Sequence, residues 1–211
     1  MKRNLIAAVC LLVSQSLALL AETIPTEATA HKRSLTKVSH AHWGLDAPVA
    51  LFAGQIHQES RWRIDARSPA GAQGLAQFMP ATAQWFHQQN PQDLAAPFAT
   101  AQPFNPAWAI SALVLYDRHL YRQIKAANSC ERWAFALSAY NGGLTWLKRD
   151  QQLASVSGAD PLVWFGSTEQ FNNGRSLASF RENRHYPEQI IQRWQHLYAS
   201  AGWGLGACYE F

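Results

Sequence analysis

Glu59 stands where a carboxyl group acquires useful acid chemistry. Val49, Phe52, Ala53 and Ile56 recur at helical spacing, and Glu59 is the next position on the same face. Partial burial and the negative end of the helix dipole both disfavour the carboxylate, so its pKa is expected to rise. A carboxylic acid that keeps its proton near neutral pH is a general acid. A surface Glu on a frayed last turn would show the same pattern. The chain also holds 9 Trp, 6 Tyr and 10 Phe, with Gln scattered through most of its length. Aromatic planes beside amides suit sugar rings, which offer apolar CH faces and hydroxyl edges, although an aromatic core has the same composition. Metal chemistry is not expected: His40 and His42 lie in a polar stretch, and no Cys or Asp cluster completes a tetrahedral set.

Glu59-Ser60 is followed by Ser68-Pro69-Ala70-Gly71-Ala72-Gln73-Gly74-Leu75-Ala76-Gln77-Phe78-Met79-Pro80. Then come Phe104-Asn105-Pro106, Ala139-Tyr140-Asn141-Gly142-Gly143 and Glu182-Asn183-Arg184-His185-Tyr186. Each element alone is weak. In this order, over about residues 46–198, they resemble the lytic transglycosylases of the soluble type, a lysozyme-like family related to the goose-type lysozymes. The resemblance implies an all-α, lysozyme-like catalytic domain that cleaves the β-1,4 bond between N-acetylmuramic acid and N-acetylglucosamine in peptidoglycan. The product would be a 1,6-anhydromuramoyl end, with no water consumed and no cofactor.

Carried over by position, the resemblance makes Glu59 the sole catalytic acid and then base. Ser68 would contact the substrate's N-acetyl group, Gln77 would line the glycan groove, and Tyr140 and Asn141 would stand beside Glu59. Tyr186 would form the opposite wall. Ser60 is expected to hold the helix end through the backbone, and Gly71 and Gly74 to permit tight turns and close approach of a ligand. Ordinary glycosidases pair two carboxylates across the bond; Asp65 merely follows the helix, so a one-carboxylate scheme is expected. Ala76, Ala109 and Ala112 replace a Met, an Asn and a Gly usual in the family, which bears on packing and groove width. Arg67, Trp62 and Trp85 read more simply as surface or core. Two alternatives remain open: a goose-type muramidase in which water attacks, and a peptidoglycan-binding component of an envelope machine without turnover.

The elements that must position these residues read as helices. One starts at Asp46 and carries Glu59. Another opens at Asn105-Pro106, an N-cap followed by Pro at the first helical position, and is apolar nearly all round, as a central helix would be. A third opens at Asn128, with Glu131 as the partner in a capping box, and stops at Gly142-Gly143. A fourth runs from about Pro187 to Tyr198. Ser157 to Ser176, rich in Gly and Asn, is expected as a long loop near the site. The result is one domain over 43–211, preceded by a flexible lead-in over 22–42.

Composition sets outer limits. The 211 residues are 48% hydrophobic and 15% charged, a core-forming chain and not a disordered one. The formal net charge is +4, of which Lys2 and Arg3 supply two, too little for a nucleic-acid binder that works by neutralising phosphates. Residues 1–21 read as a secretory signal: a basic start, an apolar run shorter than a membrane span, and small residues at Ser16, Ala18 and Ala21. Cys10 lies inside that run and would not become a lipidated N-terminus. Export to the periplasm leaves Cys130 and Cys208, a pair that can bridge in an oxidising compartment. Closing so long a loop would stabilise by about 4 kcal/mol. A monomer acting on glycan strands is expected, with family analogy suggesting service to a secretion, conjugation or pilus apparatus.

Overall fold

A computed structural model of the chain describes residues 22–208. The expected leader, Cys10 included, lies outside the described residues. Eight α-helices carry the described part: α1 Thr26–Trp43, α2 Val49–Ser60, α3 Pro80–Gln89, α4 Pro106–Gln123, α5 Ser129–Gly142, α6 Leu144–Val156, α7 Leu177–Gln189 and α8 Gln195–Ser200. Only isolated β-bridges occur among the described residues, at Arg67–Gln73 and Gln73–Phe78, where the loop after α2 folds back on itself.

α4 is the centre. Trp108, Ala109, Ile110, Ala112, Leu113 and Val114 are all fully buried, and α1, α3 and α5 pack around it. Its start follows the sequence reading: the Asn105 side chain accepts from the Ala107 N–H at 3.0 Å, and Pro106 needs no donor at the first position. α2 is buried nearly all round and rests on the α7–α8 segment, which brings its last turn against Tyr186.

Residues 22–42, expected as a flexible lead-in, are instead mostly α1. This helix is polar, but Ala28, Leu35 and Ser39 form a narrow buried seam, and Trp43 donates from its indole N–H to the Val114 carbonyl at 3.1 Å. Trp43 also stacks on Trp133, with ring centroids 4.8 Å apart. So sparse a seam gives little periodic signal, and tertiary packing supplies the stability that propensity does not. The packed domain therefore begins before residue 43.

Three other expectations shift. The last helix begins at Leu177, ten residues before Pro187, with the Ser176 hydroxyl accepting from the Ser179 N–H. Pro187 lies inside it, and the helix widens to a π-turn at Ile190–Trp194 before α8; a proline that reads as a start signal is here an interior residue of the helix. α3 and α6 were not anticipated. The capping box at Asn128 is half formed: Asn128 accepts from the Glu131 N–H at 2.9 Å, but the Glu131 carboxylate turns to the loop, accepting from the N–H groups of Trp164 at 2.6 Å and Phe165 at 3.2 Å. The Ser157–Ser176 stretch is irregular apart from one 3-10 turn at Thr168–Gln170.

The expected disulfide is present, Cys130 to Cys208 with Cα atoms 4.7 Å apart. It joins the first turn of α5 to the C-terminal tail. Gln195 holds the same tail through Ala207, donating to its carbonyl and accepting from its N–H, both at 2.8 Å.

Gly74 is required twice over, by its φ of +72° and by a neighbour: a Cβ there would stand 1.8 Å from the Pro103 carbonyl oxygen. Gly71, at φ +93°, faces open space and is a turn glycine only. Gly74→Ala should cost about 2–4 kcal/mol, left-handed strain plus displacement of a backbone segment, and Gly71→Ala about 1–2 kcal/mol from strain alone. Urea denaturation of the two variants checks this; equal losses would remove the role given to Pro103.

Candidate functional site

One cleft of about 500 Å³ gathers Glu59, Ser68, Gln77, Tyr140, Asn141 and Tyr186. The six come from the end of α2, the loop after it, the end of α5 and the middle of α7. Glu59 sits on the cleft floor. Its carboxyl accepts a hydrogen bond from the Tyr186 hydroxyl at 2.5 Å. Burial pushes its pKa from the ordinary 4.5 up to about 8; the Tyr186 bond opposes this and the charge of Glu182 adds to it. Glu59 is therefore a neutral acid at pH 7, held by one donor, with its second oxygen left for a ligand.

The remaining predicted residues divide into those that face the cleft and those that build it. Ser60 donates to the Leu75 carbonyl at 2.9 Å and so ties the end of α2 to the glycine-containing loop, the holding role expected of it. Ser68 lines the cleft while its hydroxyl accepts from the Ala72 N–H at 3.0 Å, leaving its proton to donate. Gln77 lines the cleft too, but its amide N–H group is spent on the carbonyls of Ala66 and Gly74. That pair of bonds holds Gln77 at φ +47° and makes it chiefly a brace of the loop.

Tyr140 donates to the Ala76 carbonyl at 2.8 Å, and its ring lies parallel to Tyr186 with centroids 6.4 Å apart. Phe78 and Tyr116 meet Tyr140 at 5.8 and 5.4 Å, so the cleft has a continuous aromatic wall. Asn141 accepts from Asn183 at 3.0 Å. Trp62 is fully buried, Trp85 is partly exposed outside the cleft, and Arg67 lies over the Phe104 ring; none lines the cleft.

Sequence reasoning missed several participants. Tyr116 and Asp117 share a helix that read only as buried core. Asp117 is fully buried behind the cleft; Gln55, one turn before Glu59, donates to its Oδ1 at 3.4 Å, and its Oδ2 has no partner. Burial holds its carboxyl well above the usual range, with the charge of Glu59 adding to the rise. Glu182 and Asn183 stood inside the last motif. Glu182 lines the cleft and is exposed, so Glu59 has acidic neighbours that a one-carboxylate reading overlooked. Asn183 is the bracket between α5 and α7, bonded to both Ser138 and Asn141.

The family model described as Transglycosylase SLT domain matches residues 38–161, more than half of the chain. The chain belongs to this family. Among curated relatives of the SLT domain, the membrane-bound lytic murein transglycosylase F of Pasteurella multocida is 31% identical over 142 residues, 67% of this chain and 25% of that protein. A second such protein, transglycosylase F 2 of Alkalilimnicola ehrlichii, is 31% identical over 144 residues, 67% of this chain and 28% of the relative. The chain thus spans about a quarter of the length of the relatives it matches. The fold is that of the lytic transglycosylase Slt of Pseudomonas aeruginosa, with a TM-score of 0.57 at 20% identity over 84% of this chain and 25% of that one. The 70 kDa soluble lytic transglycosylase of Escherichia coli gives 0.55 at 21% identity, over 81% and 24%. A 70 kDa soluble lytic transglycosylase in complex with bulgecin A gives a TM-score of 0.51 at 22% identity, over 80% and 24%. The all-α, lysozyme-like architecture expected from sequence is the one observed.

Tyr186→Phe gives a direct reading of the floor of this SLT cleft. The Tyr186 hydrogen bond lowers the Glu59 pKa, so its loss should carry that pKa above about 8. An acid-dependent rate would then hold to higher pH in the variant. A pH–rate profile whose alkaline limb stays put or moves down would remove Tyr186 as the partner that sets the acid.

Proposed function

We propose that the SLT domain is a peptidoglycan lytic transglycosylase, cutting the β-1,4 bond after N-acetylmuramic acid and closing a 1,6-anhydro ring. The observation that carries the reading is Glu59, a half-buried acid whose pKa is pushed up to about 8, on the floor of a cleft walled by Tyr140, Tyr186, Phe78 and Tyr116. Protonated Glu59 donates to the glycosidic oxygen as the C1–O bond breaks, and the leaving N-acetylglucosamine departs as its 4-hydroxyl. The acetamido carbonyl of the muramoyl residue shares the charge at C1, with Ser68 positioned to hold that group. The muramoyl 6-hydroxyl then bonds to C1 and gives its proton to the Glu59 carboxylate, which restores the acid. Tyr186 donates to the carboxylate between these steps, and such a charge-assisted bond is strongest while Glu59 is ionised.

Asp117 fits no nucleophile or base role, since it is fully buried behind the cleft and does not line it. Glu182 is different: exposed on the cleft wall, it favours a second reading in which it activates water and the product is a reducing end. Incubation of the protein with sacculi and identification of the sugar ends decides between them. Anhydromuramoyl ends support transglycosylation, reducing ends support a muramidase, and binding without soluble fragments supports a non-catalytic wall component. Bulgecin A, held by a relative of the same fold, is a probe for occupancy of the cleft. The reading carries with it export to the periplasm and work beside an envelope-spanning apparatus. No helix among the described residues is long and apolar enough to cross a membrane.

A further inference from the structure

Beside the cleft lies a second cavity of about 410 Å³. Asn141 and Glu182 line both, so the two spaces adjoin. Arg175 lines the second one with a side chain only 4% exposed. Its Nη1 pairs with Asp150, but its Nε and Nη2 are buried without a partner. Asp150 has nothing more to give: the same oxygen takes Arg184 at 2.7 Å, and its other oxygen takes the Asn173 N–H at 2.9 Å. Two guanidinium groups thus share the Asp150 carboxylate.

The surroundings point the same way. α7 starts at the cavity wall, so its positive end and first-turn N–H groups lie there. Ser176 donates to the Ser179 hydroxyl at 2.9 Å, which leaves Ser179 a proton to donate to a ligand. Trp146 lies between Arg149 and Arg175, 4.9 and 5.4 Å from ring centroid to guanidinium, and its ring is partly exposed. A Cβ at Gly142 would stand 3.5 Å from Arg175 Nη2, so a side chain there would pack against that edge of the guanidinium. Glu182, at the seam with the cleft, is the only acidic residue in the cavity lining.

We propose that this cavity binds a carboxylate of the peptide that the glycan strand carries. The inference rests on the peptidoglycan reading: a strand lying in the cleft bears a peptide on its muramoyl residue, and the carboxylates of that peptide are its anions. Arg175 and Ser179 take the carboxylate, and Glu182 accepts from a peptide N–H at the entrance. The site makes the enzyme selective for strands that keep their peptides.

The test compares solubilised glycan strands bearing peptides, the same strands stripped by an amidase, and strands with their peptide carboxylates amidated. Binding is measured with the Glu59→Gln protein, so turnover does not intervene. Peptide-bearing strands should bind about tenfold more tightly than either control, the scale of a charge-assisted hydrogen bond. Ser179→Trp, which fills the cavity from its exposed rim, should bring the ratio to about one. Arg175→Gln, checked for folding by circular dichroism, should do the same. Equal binding of all three strands, or a preference that survives Ser179→Trp, overturns the proposal. A wild-type protein that releases no fragments would sink the transglycosylase reading instead, and the binding ratio would still decide the cavity.

Discussion

Glu59→Gln should abolish release of anhydromuropeptides from sacculi while the protein stays folded and still binds glycan. Gln is nearly isosteric and can still accept from Tyr186, so the floor of the cleft keeps its shape. What it loses is the proton: it can neither protonate the leaving oxygen nor recover a proton from the 6-hydroxyl. General acid–base catalysis is worth about 10²–10⁴-fold, and both steps depend on the same group, so the loss should be at least that large. Stability should move the other way. The folded-state pKa of about 8 lies above the ordinary 4.5, so the native state binds the extra proton between those values. The contribution of Glu59 to stability is then full below pH 4.5 and is lost as pH rises through 8. Gln carries no such penalty, and the variant should melt higher than wild type at neutral and alkaline pH. Anhydro products within tenfold of wild type would remove Glu59 as the acid.

Opening the Cys130–Cys208 bridge is the second large effect expected. The bonded residues are 78 apart in sequence, and on the chain-entropy model a loop of that length is worth about 4.5 kcal/mol. Cys130→Ser with Cys208→Ser should therefore shift the urea midpoint strongly downward and leave any residual activity of the folded fraction near wild type. The Gln195 clamp on Ala207 and the bond from the Ala50 N–H to the Leu205 carbonyl at 2.8 Å should keep the tail docked once folded. An unfolding free energy within about 1 kcal/mol of wild type would show that these bonds, and not the bridge, restrict the tail.

Much of the cleft was legible in sequence because its residues cluster in short motifs whose spacing reflects local geometry. Glu59 and Ser60 end one helix, Ser68 to Gln77 make one loop, and Tyr140-Asn141 end another helix. Illegible were the contacts that join distant elements. Nothing along the chain says that Gln55 meets Asp117, or that Glu131 forgoes its own helix cap to hold Trp164 and Phe165. α1 escaped for a different reason, since three buried positions in eighteen residues make too thin a stripe to register against a polar background. Gln77 lines the cleft as its position in the motif suggests, but nothing in the sequence says that its amide N–H group also braces the loop through two backbone carbonyls.

The irregular stretch before α7 is fastened at both ends of its course. Glu131 holds it at Trp164 and Phe165, while Arg184 reaches back to the carbonyls of Glu169 and Phe171. Arg184 is two residues from Tyr186. Opening this segment would remove two carbonyl acceptors of Arg184, which keeps Asp150, and so would weaken the support of the part of α7 that presents the tyrosine to the acid. Stretch and helix therefore form one cooperative opening unit, whose amides exchange with solvent together. Opening of the stretch should then be felt, through the Arg184 guanidinium, as looser support for the hydrogen bond that tunes Glu59.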